Sequence, residues 1–198
     1  MEKIQLPLKV FISYSHQDKA LKERLMKHLN SLIRQKYIEI WHDGMVLPGA
    51  DVNEDIFREI EECDMALLLI SADYLASDYC YSVEMETFMK LRDVGKIVVP
   101  VLLRPVDLDG TPFEDLKSLP EDREAVSSFS DEDEAMKSVA LGIRMVIGKL
   151  YKKSISGMKG VSQREKTIPD VSSSSTYNNH GFVFCENEIN GGHFEIKN

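Results

Sequence analysis

Short apolar runs alternate with longer amphipathic segments along the first 153 residues. The apolar runs are rich in β-branched and aromatic residues, which is typical of strands. Four of them are clear, and EAVSSFS (124–130) is a weaker fifth strand. The four are KVFISYS (9–15), YIEIW (37–41), DMALLLIS (64–71) and KIVVPVLLRPVD (96–107).

The segments between these runs predict helices. Residues 19–35 carry Leu21, Leu25, Leu29 and Leu32 at helical spacing behind Asp18, a possible cap. Residues 54–63, a segment around Glu84 and residues 130–153 complete the set. Five strand–helix units predict an α/β fold with a doubly wound, five-stranded parallel sheet and helices on both faces.

Polar and aromatic residues follow the predicted strands at one edge of this sheet. Ser13 and Tyr14 end the first strand, Trp41 and Asp43 follow the second, and Ser71 follows the third. Ligands of doubly wound sheets bind beyond the carboxyl ends of the strands, so these residues are candidates for a binding cleft.

Glu84 is the candidate for chemistry. The residues three, four and seven positions from it are apolar or small, namely Cys80, Tyr81, Thr87, Phe88 and Leu91. Glu86 instead shares its helix face with Lys90, as in a solvated ion pair. A carboxylate held against apolar neighbours is where pKa tuning and substrate contact are expected.

The C-terminal part changes in composition. Residues 154–179 are Ser-rich and polar, which predicts a flexible linker after a domain spanning residues 1–153. Residues 180–198 regain alternation around Asn190-Gly191-Gly192, which predicts a hairpin that needs a partner or a copy of itself. A disordered or partner-docked tail is the alternative.

Charge and composition exclude several classes of function. The net charge is −9, with 33 acidic and 24 basic residues, which argues against nucleic-acid binding. No apolar stretch approaches the roughly 20 residues that span a bilayer. The three cysteines lack metal or redox spacing, and no signal peptide is recognisable, so we expect a cytoplasmic protein without a metal or a resident cofactor. The absence of GxGxxG argues against hydride transfer.

Three blocks in this order resemble the Toll/interleukin-1 receptor (TIR) domain family, particularly its bacterial branch. They are KVFISYSHQD (9–18), IWHDGMVLPGADVNEDIFREIEECDMALLLIS (40–71) and SDYCYSVEM (77–85). The resemblance implies a flavodoxin-like fold and one of two activities. Many members are similar to enzymes that cleave NAD⁺ with one glutamate in the helix after the third strand. Others are adaptors that recruit partners through homotypic contacts.

Glu84 matches the glutamate of the family, although it follows Cys80 by four residues where the common spacing is three. Residues 44–53 resemble the loop through which family members associate and gate their cleft. The implied protein is an NAD⁺ glycohydrolase, possibly with ADP-ribosyl cyclase activity, that acts as an immune or signalling effector. NAD⁺ and further TIR domains, in a homo-oligomer or filament, are its expected partners. The tail is similar in composition to signalling motifs that assemble as cross-β.

Each candidate also has a structural explanation. Trp41 could stack on a base of the nucleotide or be half-buried packing. Asp43 could tether its own loop, and Ser13, Tyr14 and Ser71 could be caps or turn formers. Cys80 is a further candidate for substrate binding, but it could instead be a small packing residue. His16 and His42 are expected to be solvated.

Overall fold

The computed structural model describes residues 5–49, 51–77 and 85–158, apart from the side chains of residues 86, 122 and 152–158. Four parallel strands form its sheet in the order β2-β1-β3-β4. They are β1 (Leu8–Tyr14), β2 (Ile38–Trp41), β3 (Met65–Ile70) and β4 (Ile97–Leu102). The α/β class with a parallel sheet is confirmed.

Five helices cover the sheet. They are α1 (Lys19–Arg34), α2 (Val52–Glu62), α3 (Ala72–Ala76), α4 (Met85–Asp93) and α5 (Glu132–Met158). Side chains of α1 and α5 share one buried cluster with one face of the sheet, and side chains of α2, α3 and α4 share a second cluster with the other face. The prediction of helices on both faces is therefore confirmed.

The predicted fifth strand is not formed. Within residues 124–130 the chain makes a 3₁₀ turn at Val126–Ser128. The place beside β4 is taken by Leu119, which donates its N–H to the Pro100 carbonyl and accepts from the Leu102 N–H. Because those hydrogen-bonding groups of β4 are already satisfied, residues 124–130 do not pair with the strand. The Ser127 N–H donates to the carbonyl of Leu103, one residue beyond β4, and Val126 packs in the buried cluster on the α1 and α5 face of the sheet.

Asp18 does not cap α1 with its side chain. A 3₁₀ turn (His16–Asp18) precedes this helix and turns the carboxylate into the protein, where Asp18 is 2% exposed. A side-chain cap is present on a different helix. The carboxylate of Asp51 accepts from the N–H groups of Asn53 and Glu54 at the start of α2. The predicted linker and tail lie outside the described residues, apart from the stretch through residue 158 that continues α5.

Candidate functional site

A cleft of about 750 Å³ opens beyond the carboxyl ends of β1 and β2. Its floor is residues 11–17, and its outer wall is formed by residues of the loop after β2 and the start of α2. Ser77, which follows α3, also lines the cleft. The volume falls in the range of roughly 300–1,000 Å³ that small-molecule sites occupy.

The polar end of the cleft is organised around Asp43. Its Oδ1 accepts from the Gly44 N–H at 2.7 Å, and its Oδ2 lies 2.5 Å from His16 Nε2. Tyr14 also hydrogen-bonds to this carboxylate, and burial together with the negative charge of Asp43 raises the pKa of Tyr14. Asp43 therefore both tethers its loop and lines the cleft.

A buried lysine stands behind this wall. Lys22 of α1 is 1% exposed, and its Nζ lies 4.9 Å from the centre of the Tyr14 ring. The same ammonium lies 2.7 Å from Glu23 Oε1 and 3.4 Å from His42 Nε2. Burial, followed by the charge of Lys22, lowers the pKa of His42. His42 is thus half-buried and not the solvated side chain that the sequence suggests.

The two candidate serines have different surroundings. Ser13 contributes to the floor of the cleft, and its hydroxyl lies 3.0 Å from the Tyr74 hydroxyl. Ser71 is fully buried and is not among the residues that line the cleft. Its hydroxyl donates to Asp18 at 2.5 Å and accepts from the Tyr74 N–H, which caps α3. The geometry of Ser71 is that of the helix cap considered as its alternative.

Arg104, just beyond β4, ties the strand ends together. Its Nε donates to Asp18 Oδ1 at 2.9 Å, and its guanidinium also pairs with Asp73. Through Asp18 and Ser71 this arginine joins the carboxyl ends of β1, β3 and β4. The sequence offers no local signal for it, because the partners lie 86 and 31 positions away.

Trp41 lies outside the larger cleft. Its ring stacks on Phe11 with centroids 5.1 Å apart, and it lines a separate hollow of about 260 Å³ beside Lys9, Met45 and Glu59. Phe11 lines both spaces and also contacts Phe88 of α4, at 5.5 Å between ring centroids. The geometry of Trp41 is that of half-buried packing.

Glu84 and Cys80 lie outside the described residues, so their predicted roles remain predictions. The described residues on either side of this segment have defined surroundings. Ser77 lines the cleft, and Met85 and Phe88 are buried in the same cluster as Phe11. The backbone on both sides of the Glu84 segment therefore belongs to the cleft side of the sheet.

The loop after β2 exposes apolar side chains. Met45 is 51% exposed, Leu47 is 74% exposed and Val52, at the start of α2, is 53% exposed.

Within the described part of the chain, no three or more His, Cys, Asp or Glu side chains are grouped to hold a metal ion. A search of the same residues for a helix of bilayer-spanning length and hydropathy finds none.

Comparison with known families gives the identity of this fold. A family model described as the TIR domain matches residues 10–139. The chain belongs to the TIR domain family. A relative of this TIR domain from a bacterium, the uncharacterized protein y4lF of Sinorhizobium fredii (strain NBRC 101917 / NGR234), is 42% identical over 142 residues. That match covers 71% of this chain and 44% of the relative, so the chain spans less than half the length of that protein. The resemblance to bacterial TIR domains is confirmed.

Two solved structures are also similar to this TIR domain. The TIR domain of the Toll-related receptor TRR-2 from Hydra magnipapillata is 20% identical, with a TM-score of 0.43 over 56% of this chain and 81% of that one. The TIR domains of the activated Roq1 resistosome, which directly recognizes the pathogen effector XopQ, are 24% identical. Their TM-score is 0.43 over 77% of this chain and 98% of that one.

Proposed function

We propose that this TIR domain is an NAD⁺ glycohydrolase that cleaves the bond between nicotinamide and ribose, with Glu84 as its catalytic residue. The observation that carries the proposal is the cleft at the carboxyl edge of the sheet, which ends at Ser77, seven positions before Glu84. On the other side of that segment, Glu84 is bonded directly to Met85, whose side chain is buried beside the floor of the cleft.

The reaction needs only one carboxylate. The nicotinamide ring is a positively charged pyridinium while it is bonded to ribose, and it departs as a neutral base. No general acid therefore has to protonate it. One carboxylate near the ribose can stabilise the positive charge that develops there, or bond covalently to the ribose carbon. Water then bonds to the carbon that nicotinamide has left. NAD⁺ is then the substrate, and no further cofactor takes part.

Asp43 is the rival carboxylate. Among the described residues that line the cleft it is the single acidic one. Its oxygens already accept from Gly44 and contact His16 and Tyr14, so fewer lone pairs are free for a ribose. We therefore assign Asp43 to the wall of the cleft, with Ser13 and Tyr14 as substrate contacts.

The remaining candidates act indirectly in this proposal. Trp41 supports Phe11 in the floor, and Ser71 fixes the strand ends through Asp18. Cys80 stays a candidate by its place in the sequence, beside Tyr81 and four positions before Glu84. We place the activity in a reducing compartment such as the cytoplasm, where the free thiol of Cys63 persists.

Self-association is the proposed control. Met45, Leu47 and Val52 present apolar surface to solvent on the loop that closes the cleft, so a second copy docking there would also change the cleft. A homo-oligomer or filament formed through residues 44–53 would make cleavage depend on protein concentration, as an immune or signalling effector requires.

The same exposed side chains favour a second candidate, an adaptor without enzymatic activity. Its loop would recruit other TIR domains, and the cleft would be a consequence of loop packing. The two candidates differ in one measurable property, the release of nicotinamide.

The test follows nicotinamide release from NAD⁺ over a range of protein concentrations. Glu84→Gln is expected to lower the rate at least about a hundredfold, because it removes the charge that faces the transition state. Glu86→Gln, the matched control two positions away, should keep the wild-type rate. Asp43→Asn should raise KM more than it lowers kcat.

Leu47→Glu places a charge on the proposed contact surface and is expected to abolish the concentration dependence. Loss of activity in Glu86→Gln with retention in Glu84→Gln would show that the wrong carboxylate is assigned. Absence of release at every concentration, with self-association intact, would favour the adaptor.

A further inference from the structure

Among the described residues, Lys22 is a buried cation without an equally buried counter-ion. Its side chain is 2% exposed, whereas the side chain of its partner Glu23 is 55% exposed. An exposed carboxylate offsets little of the desolvation cost of an ammonium group. The other contacts of Lys22 must therefore account for its position.

Those contacts are Tyr14, in the floor of the cleft, and His42, which directly precedes the lining residue Asp43. The ammonium lies 4.9 Å from the centre of the Tyr14 ring, a cation–π contact, and 3.4 Å from His42 Nε2. A lysine can only donate, so Nε2 accepts and the imidazole carries its proton on Nδ1. That atom is buried without a hydrogen-bond partner among the described residues, 3.9 Å from Asp43 Oδ1.

His42 and Asp43 in turn form the root of the loop. The carbonyl of His42 accepts from the Met45 N–H, and the carbonyl of Asp43 accepts from the Val46 N–H. Tyr14 contacts the same Asp43 through its hydroxyl. The lysine thus contacts His42 directly and is connected to Asp43 through Tyr14.

We propose that Lys22 is a positioning residue of the cleft, which fixes the Tyr14 ring and the His42 imidazole and thereby the conformation of the loop that closes on the ligand. The kinetic part of this inference rests on the proposed NAD⁺ cleavage. The structural part, the placement of the loop root, holds for any ligand of the cleft.

A purely structural role makes a different prediction. Replacing a buried charge with an apolar side chain of similar length is commonly neutral or stabilising. Lys22→Met should then leave the affinity for substrate unchanged, and any partly unfolded fraction would lower kcat without changing KM. The exposed lysine of the same helix, Lys27, provides a control with the same change of charge.

The first measurement is the pKa of His42, which is determined by NMR titration of the full chain. The titratable groups that face it are Lys22 and Glu23 from α1, Tyr14 from β1 and the neighbouring Asp43. Removing the lysine charge in Lys22→Met should raise the pKa of His42, and Glu23→Gln should lower it further. Lys27→Met should leave it unchanged. Glu23 is exposed, so its variant keeps the test valid should Lys22→Met fail to fold.

The second measurement is hydrogen exchange at the Met45 and Val46 amides, which we expect to become about tenfold faster in Lys22→Met. The third is the kinetics with NAD⁺, for which we expect KM to rise about tenfold in Lys22→Met and to stay constant in Lys27→Met. An unmoved pKa of His42, or unchanged exchange at the loop root, would overturn the inference. If the wild type cleaves no NAD⁺, the function fails while the first two measurements still decide the role of Lys22.

Discussion

The contact between Arg104 and two carboxylates gives a sharp test of the strand-end arrangement. Both Asp18 and Asp73 pair with this guanidinium, but their side chains are 1% and 44% exposed. Arg104 itself is 36% exposed. Replacing Asp with Asn therefore removes a buried charge in one variant and an exposed charge in the other, and both charges pair with the same arginine.

The expected costs differ because solvent screens the pair with Asp73 far more than the pair with Asp18. Breaking a buried ion pair costs about 3–5 kcal/mol, and the partial exposure of Arg104 reduces this to about 2–3 kcal/mol for Asp18→Asn. The short bond from Ser71 to Asp18 is weakened at the same time. Asp73→Asn should cost about 0–1 kcal/mol.

Urea unfolding measures both values. The free energy of unfolding in water should fall by about 1–3 kcal/mol more for Asp18→Asn than for Asp73→Asn, with the dependence on urea unchanged. Equal losses in the two variants would refute the reasoning, since they would mean that burial of Asp18 does not strengthen its contacts. A cost for Asp18→Asn below about 0.5 kcal/mol would refute it as well.

Two further predictions concern α5 and the buried thiol. A Cβ on Gly142 would lie 2.5 Å from Leu119 Cδ2, whereas a Cβ on Gly148 would meet nothing within 4 Å. Gly148→Ala should stabilise the protein by about 0.5–1 kcal/mol through helix propensity. Gly142→Ala should be about 1–3 kcal/mol less stable than Gly148→Ala, because its Cβ meets Leu119. Equal melting temperatures of the two variants would contradict this packing. Burial raises the pKa of Cys63 to about 11, so with the other two cysteines replaced by serine the folded protein should resist iodoacetamide at about pH 8, and rapid labelling would contradict the burial. Because the unfolded thiol ionises first, at about pH 8.5, the free energy of unfolding should decrease as pH rises from there towards 11.

The hydrophobic pattern was sufficient for β1 to β4 and for the long helices. A continuous apolar run such as residues 65–70 is typical of a central strand that is buried on both faces, and Leu25, Leu29 and Leu32 of α1 are fully buried or nearly so. The prediction of a fifth strand was wrong because pairing beside β4 depends on which segment the tertiary fold places there. Leu119 takes that position, and no local pattern in residues 124–130 reveals it.

The site was predicted less completely than the sheet. Strand ends indicated Ser13, Tyr14 and Asp43 as residues of the cleft edge, because parallel strands bring their carboxyl ends together. Lys22 was missed, since a lysine in a run of charged residues on an amphipathic helix, here residues 22–24, is usually interpreted as solvated. Its burial is set by Tyr14 and His42, which approach from other elements. The surroundings of Trp41 and Ser71 were equally set by contacts from other elements.

The tip of the loop in the outer wall of the cleft belongs to neither buried cluster. Leu47, Pro48 and Gly49 line the cleft, yet none of them belongs to either core. Substitutions at Leu47 and Pro48 can therefore reshape what the cleft admits with little effect on folding, whereas the positive φ of Gly49 favours glycine there. Such a separation makes the protein evolvable: related lineages can diverge in specificity within one loop while they inherit the same sheet unchanged.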